Sequence, residues 1–312
     1  MTCQVDGKQE VDVQELLSRI KSKIDARRNL FVGLSATSKK TVSRNEVLEN
    51  VVTCNFSQLQ PKIWRSDLTA QVSDELVQQL VTARNHDYCF NASKEPTGEY
   101  VFWLLGYDQE IQEKIQANLW NQFPFALEPG YVNTIPLELF LTAPGMTTTW
   151  MSGLDDHLGK TVEGIAFRFP HSGGIISGEL HWLPEDGYLL RRILANNEFT
   201  TPEGENVVHR SVDKTISYNI VSGRVLPWSI TSSFNNGRTI TYQIESISDA
   251  NADPKYYTPE SIGLETPKRP LEKWFVWACV AASCLVGSIV LYVWGGAKKQ
   301  PSHLAKNDPV PE

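Results

Sequence analysis

The chain has 312 residues, of which 41% are apolar and 21% are charged, and its net charge at pH 7 is −7. This composition is that of a globular protein and excludes an intrinsically disordered chain. Because acidic residues are in excess and no run of basic residues is longer than two, no nucleic-acid partner is expected.

The N-terminal region predicts an amphipathic helix over residues 11–28. Its apolar residues recur at helical spacing, which favours a helix packed on the protein's own sheet over a partner-binding helix. These residues are Val13, Leu16, Leu17, Ile20 and Ile24. The preceding residues contain no apolar stretch of the kind found in a secretory signal peptide.

Residues 29–93 predict consecutive strands, with DELVQQLVTA at 74–83 open to a helical alternative. Tyr88, Phe90 and Ala92 alternate as expected for a half-buried strand. Two helices follow: DQEIQEKIQANLW is capped by Asp108, and TIPLELFLTAPG begins near Thr134 and ends at the Pro144-Gly145 pair.

The last third predicts an antiparallel meander of short strands. Turn signals at Ser222-Gly223 and Asn236-Gly237 separate segments that alternate between apolar and polar residues. Alternation of this kind indicates a sheet covered on one side only. The apolar positions are Ile165, Phe167, Phe169, Ile176, Leu180, Trp182, Ile216, Tyr218, Ile220, Trp228, Ile230, Phe234, Ile240, Tyr242 and Ile244.

The C-terminal region predicts a membrane anchor. Residues 274–294 carry no charge and would span about 31 Å as a helix, close to the thickness of a bilayer core. Trp274, Trp277, Tyr292 and Trp294 stand at the ends of this segment, where aromatic side chains favour the membrane interface. We therefore expect a sheet domain over 1–251, a proline-rich linker over 252–273, a single-pass transmembrane helix over 274–294 and a polar tail over 295–312.

Lysine and arginine residues flank the predicted span equally, three before it and three after it, so the positive-inside rule does not orient it. Two topologies remain open at this point. A chain without a leader would be a tail-anchored protein with a cytosolic domain, whereas an exported domain would leave the tail in the cytoplasm.

Five cysteines are present, and Cys54 and Cys89 are the two that lie in predicted strands of the large domain. They are either buried free thiols or, in an exported domain, a candidate disulfide. Their spacing does not match a zinc motif.

No sequence motif for catalysis, metal binding or cofactor binding is found, so the chain is expected to be neither an enzyme nor a cofactor protein. The densest polar cluster is Asp155-Asp156-His157, which favours a solvated loop over a hydrolase centre. His171 and His181 are a weaker candidate pair for a metal.

The order of predicted elements resembles the LolA-like fold of bacterial lipoprotein carriers. KIWRSDL and YNIVSGRVLPWSITSSFNNGRTITYQIESI are similar to strands of that family, and DPKYYTPESIGLETPKRPLEKWFVWACVA resembles uncharacterised planctomycete-type proteins with a membrane-tied domain. The resemblance implies an α+β fold: a curved, mostly antiparallel half-barrel sheet covered by helices, whose concave face receives an acyl chain or apolar peptide.

The resemblance also implies an exported domain, which favours an extracytoplasmic location for the sheet domain and a cytoplasmic tail. The leading hypothesis is a membrane-anchored, noncatalytic binding module for a lipid, an acyl chain or a lipoprotein segment. The alternatives are a sensor or scaffold that binds an unknown protein partner, and a hydrolase built around residues 155–157. No ligand-binding residue is assigned by the resemblance.

Overall fold

The computed structural model describes residues 18, 20, 30–71, 77–126, 131–132, 135–155, 159–171, 174–200, 206–266 and 280–289. The chain divides into two units, residues 1–266 and residues 267–312.

The first unit is built mainly from β-strands. Its first half contains β1 (Leu34–Arg44), β2 (Val47–Gln60), β3 (Ile63–Gln71), β4 (Val77–Arg84), β5 (Cys89–Lys94), β6 (Tyr100–Gly106), β7 (Tyr131–Val132) and β8 (Ile135–Pro136). Its second half contains β9 (Thr147–Asp155), β10 (Thr161–His171), β11 (Gly174–Leu183), β12 (Leu189–Thr200), β13 (Asn206–Val221), β14 (Arg224–Phe234) and β15 (Arg238–Asp249).

Thirteen of these described strands form one antiparallel sheet in the order β6-β5-β4-β3-β2-β1-β15-β14-β13-β12-β11-β10-β9. Within the described residues, every pair of neighbouring strands is consecutive along the chain except β1 and β15. That pair runs from Leu34 opposite Asp249 to Arg44 opposite Arg238. The short strands β7 and β8 pair with each other in a separate sheet.

Two described α-helices belong to this unit: α1 (Gln109–Gln122) and α2 (Leu137–Leu141). Helix α1 begins where the sequence predicts, because the Asp108 carboxylate accepts a hydrogen bond from the Ile111 amide at 2.9 Å. Ile115 and Leu119 of α1 are buried against the sheet, and Phe123 follows them into the core. Of the helix predicted over 11–28, only Ser18 and Ile20 lie within the described residues, and both are helical.

The expected sheet covered by helices is wrong. Thirteen strands at a spacing of about 4.8 Å extend over about 58 Å, whereas the 14 residues of α1 extend over about 21 Å. Among the residues that the structure describes, one helix of that length and the five residues of α2 cover only a part of the sheet. The described part of the unit is therefore predominantly β-structure rather than a balanced α+β arrangement.

A second element covers part of the face of the sheet opposite to helix α1. Residues 254–266, here called the C-terminal strap, contain two 3₁₀ turns at Pro254–Tyr257 and Pro259–Ile262. Tyr257 is fully buried, and its hydroxyl lies 2.9 Å from the Ser57 hydroxyl of β2. Ile262 and Leu264 pack against a small apolar cluster on β4 and β5 that includes Val81 and Phe90.

In the second unit, the described residues 280–289 are helical. No helix among the described residues is both long enough and apolar enough to cross a membrane. The prediction of a single-pass transmembrane helix, with the membrane location and topology derived from it, is therefore corrected. The residues named for its ends, Trp274, Trp277, Tyr292 and Trp294, lie outside the described residues.

Candidate functional site

The candidate site is a cavity of about 430 Å³ on one face of the sheet, formed mainly by β11 to β15. Its volume lies within the usual range for small-molecule sites, about 300–1,000 Å³. The apolar side chains that line it are Pro124, Ile176, Ala195, Val212, Ile230, Phe234 and Ile240. The polar side chains are Asn196, Asn197, Arg210, Lys214, Ser232 and Tyr242.

Strand register explains why residues distant in sequence share this cavity. In antiparallel strands, directly opposed residues project from the same face of the sheet. Val212 of β13 lies opposite Phe234 of β14, and Lys214 lies opposite Ser232. Ile230 lies opposite Tyr242 of β15. The lining is therefore a set of successive cross-strand pairs rather than a local motif.

The chain also supplies part of the cavity wall from outside these strands. Helix α1 ends at Gln122 and is followed by its C-cap residue Phe123, whose ring stacks on that of Phe56 with centroids 4.4 Å apart. A 3₁₀ turn at Pro124–Ala126 follows, and Pro124 lines the cavity. The aromatic cluster around Phe123 thereby fixes the position of the cavity wall next to it.

The electrostatic character of the lining is cationic. Lys214 is buried, Arg210 is exposed at the rim, and no carboxylate is among the described side chains that line the cavity. The guanidinium of Arg210 lies 4.8 Å from the centre of the Phe234 ring, as in a cation–π contact. A cavity of this kind combines an apolar surface with positive charge.

The β15 side of the cavity continues onto β1. Lys40 lies opposite Tyr242, and its ammonium nitrogen is 5.2 Å from the centre of the Tyr242 ring. Burial and the neighbouring charge of Arg238 lower the pKa of Lys40. Burial raises the pKa of Tyr242 to about 12, so its phenol stays neutral near pH 7.

Cys54 and Cys89 lie in β2 and β5, which are separated by β3 and β4, and both are buried free thiols. Three strand spacings amount to about 14 Å, whereas a disulfide requires Cα atoms within about 7 Å. The Cys54 sulfur lies 3.2 Å from the Ser66 hydroxyl, and burial is the main cause that raises the pKa of Cys54 to about 12.

We expect both thiols to resist labelling in the folded protein and to react after unfolding. In a chain carrying Cys3→Ser, Cys279→Ser and Cys284→Ser, a thiol reagent at pH 8 should modify neither Cys54 nor Cys89, because burial suppresses the reactive thiolate. Denaturant without reductant should then release two reactive thiols. Release of two thiols only after reduction would instead demonstrate a disulfide.

The remaining polar candidates from the sequence are not brought together among the described residues. Asp155 ends β9, and Asp156 and His157 lie outside the described residues. His171 is opposite Gly174 at one end of the β10–β11 hairpin, whereas His181 is opposite Gly164. His181 contacts the Glu179 carboxylate at 2.8 Å instead.

Sequence reasoning assigned no ligand-binding residue, although one local signal was present. Arg210, Val212, Lys214 and Ile216 share one parity in β13, so a buried cation is placed among apolar residues. Lysine is almost never fully buried without a specific environment. That combination could have marked Lys214 as a residue of interest.

Neither family models nor curated proteins match this chain. Similar solved structures include a LolA superfamily protein from Nitrosomonas europaea, with 10% identity, a TM-score of 0.39, and coverage of 80% of this chain and 99% of that one. A β-barrel-like protein of unknown function from Brucella abortus has 8% identity, a TM-score of 0.23, and coverage of 72% and 99%. MucB in complex with MucA has 11% identity, a TM-score of 0.14, and coverage of 78% and 100%.

A LolA superfamily protein is thus among the similar solved structures. With TM-scores this low, these likenesses support no conclusion about a ligand. The resemblance to planctomycete-type proteins stays a prediction.

Proposed function

We propose that this protein is a noncatalytic binding module that holds the apolar chain of a lipid or of an acylated molecule in the cavity between β11 and β15. The observation that carries the proposal is a cavity of about 430 Å³ on one face of the sheet, lined by the apolar side chains of Val212, Ile230, Phe234 and Ile240 together with polar ones. Burial of an apolar chain there would contribute about 25 cal/mol per Å² of apolar surface removed from water.

The cavity is suited to an apolar ligand because most of its large apolar side chains come from three adjacent strands. Val212, Phe234, Ile230 and Ile240 follow one another through opposed or neighbouring positions of β13, β14 and β15. Strand pairing holds these side chains in place, so the surface is formed before a ligand arrives. A preformed site of this kind loses little free energy in ordering its own side chains on binding.

The polar lining is suited to recognition rather than to proton transfer. Its described side chains are two cations, two amides, one hydroxyl and the phenol of Tyr242. General acid–base catalysis is most efficient when the pKa of the catalytic group lies near the working pH. The pKa of Tyr242, raised to about 12, lies far above that range.

We expect the full chain to bind the uncharged fluorescent probe N-phenyl-1-naphthylamine saturably, and Ser232→Trp to weaken that binding at least about tenfold. Ser232 lines the cavity between Lys214 and Ile240, so an indole at this position would occupy the volume that the probe needs. Probe titration followed by fluorescence measures both affinities.

Ser233→Trp is the matched control, because Ser233 is the next residue of β14 and is exposed on the opposite face of the sheet. It should bind the probe as the unchanged protein does. If the probe does not bind saturably, or if both tryptophan variants bind it equally well, the proposed function is rejected.

A further inference from the structure

We infer that the β15–β1 side of the cavity is an anion subsite, in which Lys40 and Arg238 hold the carboxylate or phosphate head group of a single-chain amphiphile. The inference rests on the proposed function, since the same ligand would place its apolar chain against β13 and β14. It assigns a ligand class: an acid with an apolar chain, rather than a neutral lipid.

The first observation concerns the direction of the two cations. Arg238, Ile240 and Tyr242 alternate along β15, so their side chains share the cavity face of the sheet. Lys40 lies opposite Tyr242 on β1 and contacts its ring. Both cations therefore lie beside the cavity residues Ile240 and Tyr242.

The second observation is a donor without an acceptor. The Nε atom of Arg238 is buried, and it makes no hydrogen bond among the described residues. Buried donors nearly always have a partner, so a donor that lacks one in the protein alone calls for an acceptor from outside it, such as a water, an ion or a ligand. A carboxylate or phosphate oxygen is the strongest acceptor for a guanidinium N–H.

The third observation is an uncompensated pair of like charges. Lys40 is half-buried and lies on the same face of the sheet as Arg238, and burial first and the charge of Arg238 second lower the pKa of Lys40. No described carboxylate lies within salt-bridge distance of either side chain, and Arg44, which lies opposite Arg238, pairs with Glu49. An anion between Lys40 and Arg238 would remove this repulsion.

The head group and the chain would be contiguous. Ile240 lies between Arg238 and Tyr242 along β15, and it is opposite Ser232 of β14. Phe234 and Val212 follow at the next cross-strand position. An anion beside Arg238 would therefore continue directly into an apolar chain over Ile240 and Phe234.

The experiment compares cis-parinaric acid with its methyl ester on the full chain. The ester has the same chain without the charge. We expect the acid to bind at least about tenfold more tightly, because hydrogen bonds to a charged group are stronger than those to a neutral one. Lys40→Gln and Arg238→Gln should each remove most of that difference while leaving the affinity for the ester within about twofold.

Lys39→Gln is the matched control, since Lys39 is the neighbouring residue of β1 and is exposed on the opposite face. It should leave both affinities unchanged, and Lys40→Arg should restore the preference for the acid that Lys40→Gln removes. Displacement of the bound probe by a saturated fatty acid and by a single-chain alkyl phosphate then distinguishes a carboxylate from a phosphate head group.

Equal binding of acid and ester by the unchanged protein would overturn the anion subsite and leave the proposed function intact. A preference for the acid that survives both glutamine variants would also overturn it, because other groups would then supply the charge. If neither ligand binds, the proposed function fails and the anion subsite fails with it.

Discussion

Phe123→Ala should lower the free energy of unfolding by about 3–5 kcal/mol, the usual range for removing a buried phenylalanine. Phe123 is completely buried, stacks on Phe56 at 4.4 Å, and meets the ring edges of Phe31 and Phe125 at 5.2 Å and 5.1 Å. Alanine would leave a cavity in the middle of this cluster. Urea unfolding followed by circular dichroism measures the change from the shift in midpoint at constant slope.

Trp103→Ala is the control for this measurement. Tryptophan is larger than phenylalanine, but Trp103 is 71% exposed on the edge strand β6. We expect a change within about 0.5 kcal/mol. A loss at Phe123 no greater than that at Trp103 would contradict the position of Phe123 in the core.

Arg65→Met should release the C-terminal strap and lower the free energy of unfolding by about 3 kcal/mol. Arg65 is buried on β3, pairs with the Asp67 carboxylate at 2.7 Å, and donates to the Tyr256 carbonyl at 2.7 Å and to the Ser261 hydroxyl at 2.5 Å. Its guanidinium also lies 4.4 Å from the centre of the Tyr256 ring. Loss of these contacts leaves the Asp67 carboxylate without its cation.

Hydrogen exchange measured by mass spectrometry should detect the released strap directly, as faster exchange of amides in residues 254–264. The matched control is Arg44→Met, because Arg44 also pairs with a carboxylate, that of Glu49 at 3.3 Å, but at an exposed position. An exposed ion pair contributes about 0–1 kcal/mol. Unchanged exchange in the strap of Arg65→Met would show that Arg65 does not hold it.

The local elements were predictable where sequence signals and tertiary structure agree. Asp108 caps α1 as expected, because capping depends only on the residues of the first turn. The Ser222-Gly223 and Asn236-Gly237 turns join β13 to β14 and β14 to β15. Gly223 and Gly237 both have positive φ, the conformation that makes glycine favourable in such hairpins.

Simple alternation failed where strands contain bulges. The sequence places Trp228, Ile230 and Phe234 on one face, but β14 carries an extra residue between Pro227 and Ser229, which lie opposite Tyr218 and Ser217 of β13. Leu226 and Pro227, which are adjacent in sequence, are consequently both buried. A bulge adds one residue to one strand, so the residues after it point to the opposite face of the sheet from the one that alternation predicts. No local sequence pattern predicts a bulge.

Strand β6 and the role of the strap were also missed. Strand β6 reads YVFWLLG, an apolar run without alternation, and such runs do not distinguish a strand from a buried helix. The strap was taken as part of a linker because of its prolines. Its packing depends on Arg65 and Ser57, which are about 190 and 200 residues away in sequence, so proline content alone could not reveal it.

The residues of the candidate site were still harder to predict from the sequence. Lys40 and Arg238 approach the same side of the cavity only because β1 pairs with β15. Their separation of nearly 200 residues leaves no spacing rule that would connect them. Only the β13 segment, with Lys214 among apolar positions, carried a signal that a single strand could show.

The pairing of β1 with β15 has a consequence for how the chain reaches its native state. Strands β1 to β6 and strands β9 to β15 form two series of antiparallel hairpins. The pairing of β1 with β15, here called the seam, joins these two series into one sheet. Hairpins form in microseconds, whereas closing a loop of about 200 residues carries an entropic penalty that grows with the logarithm of its length. We expect the seam to close late, and the anion subsite to be assembled in that same step.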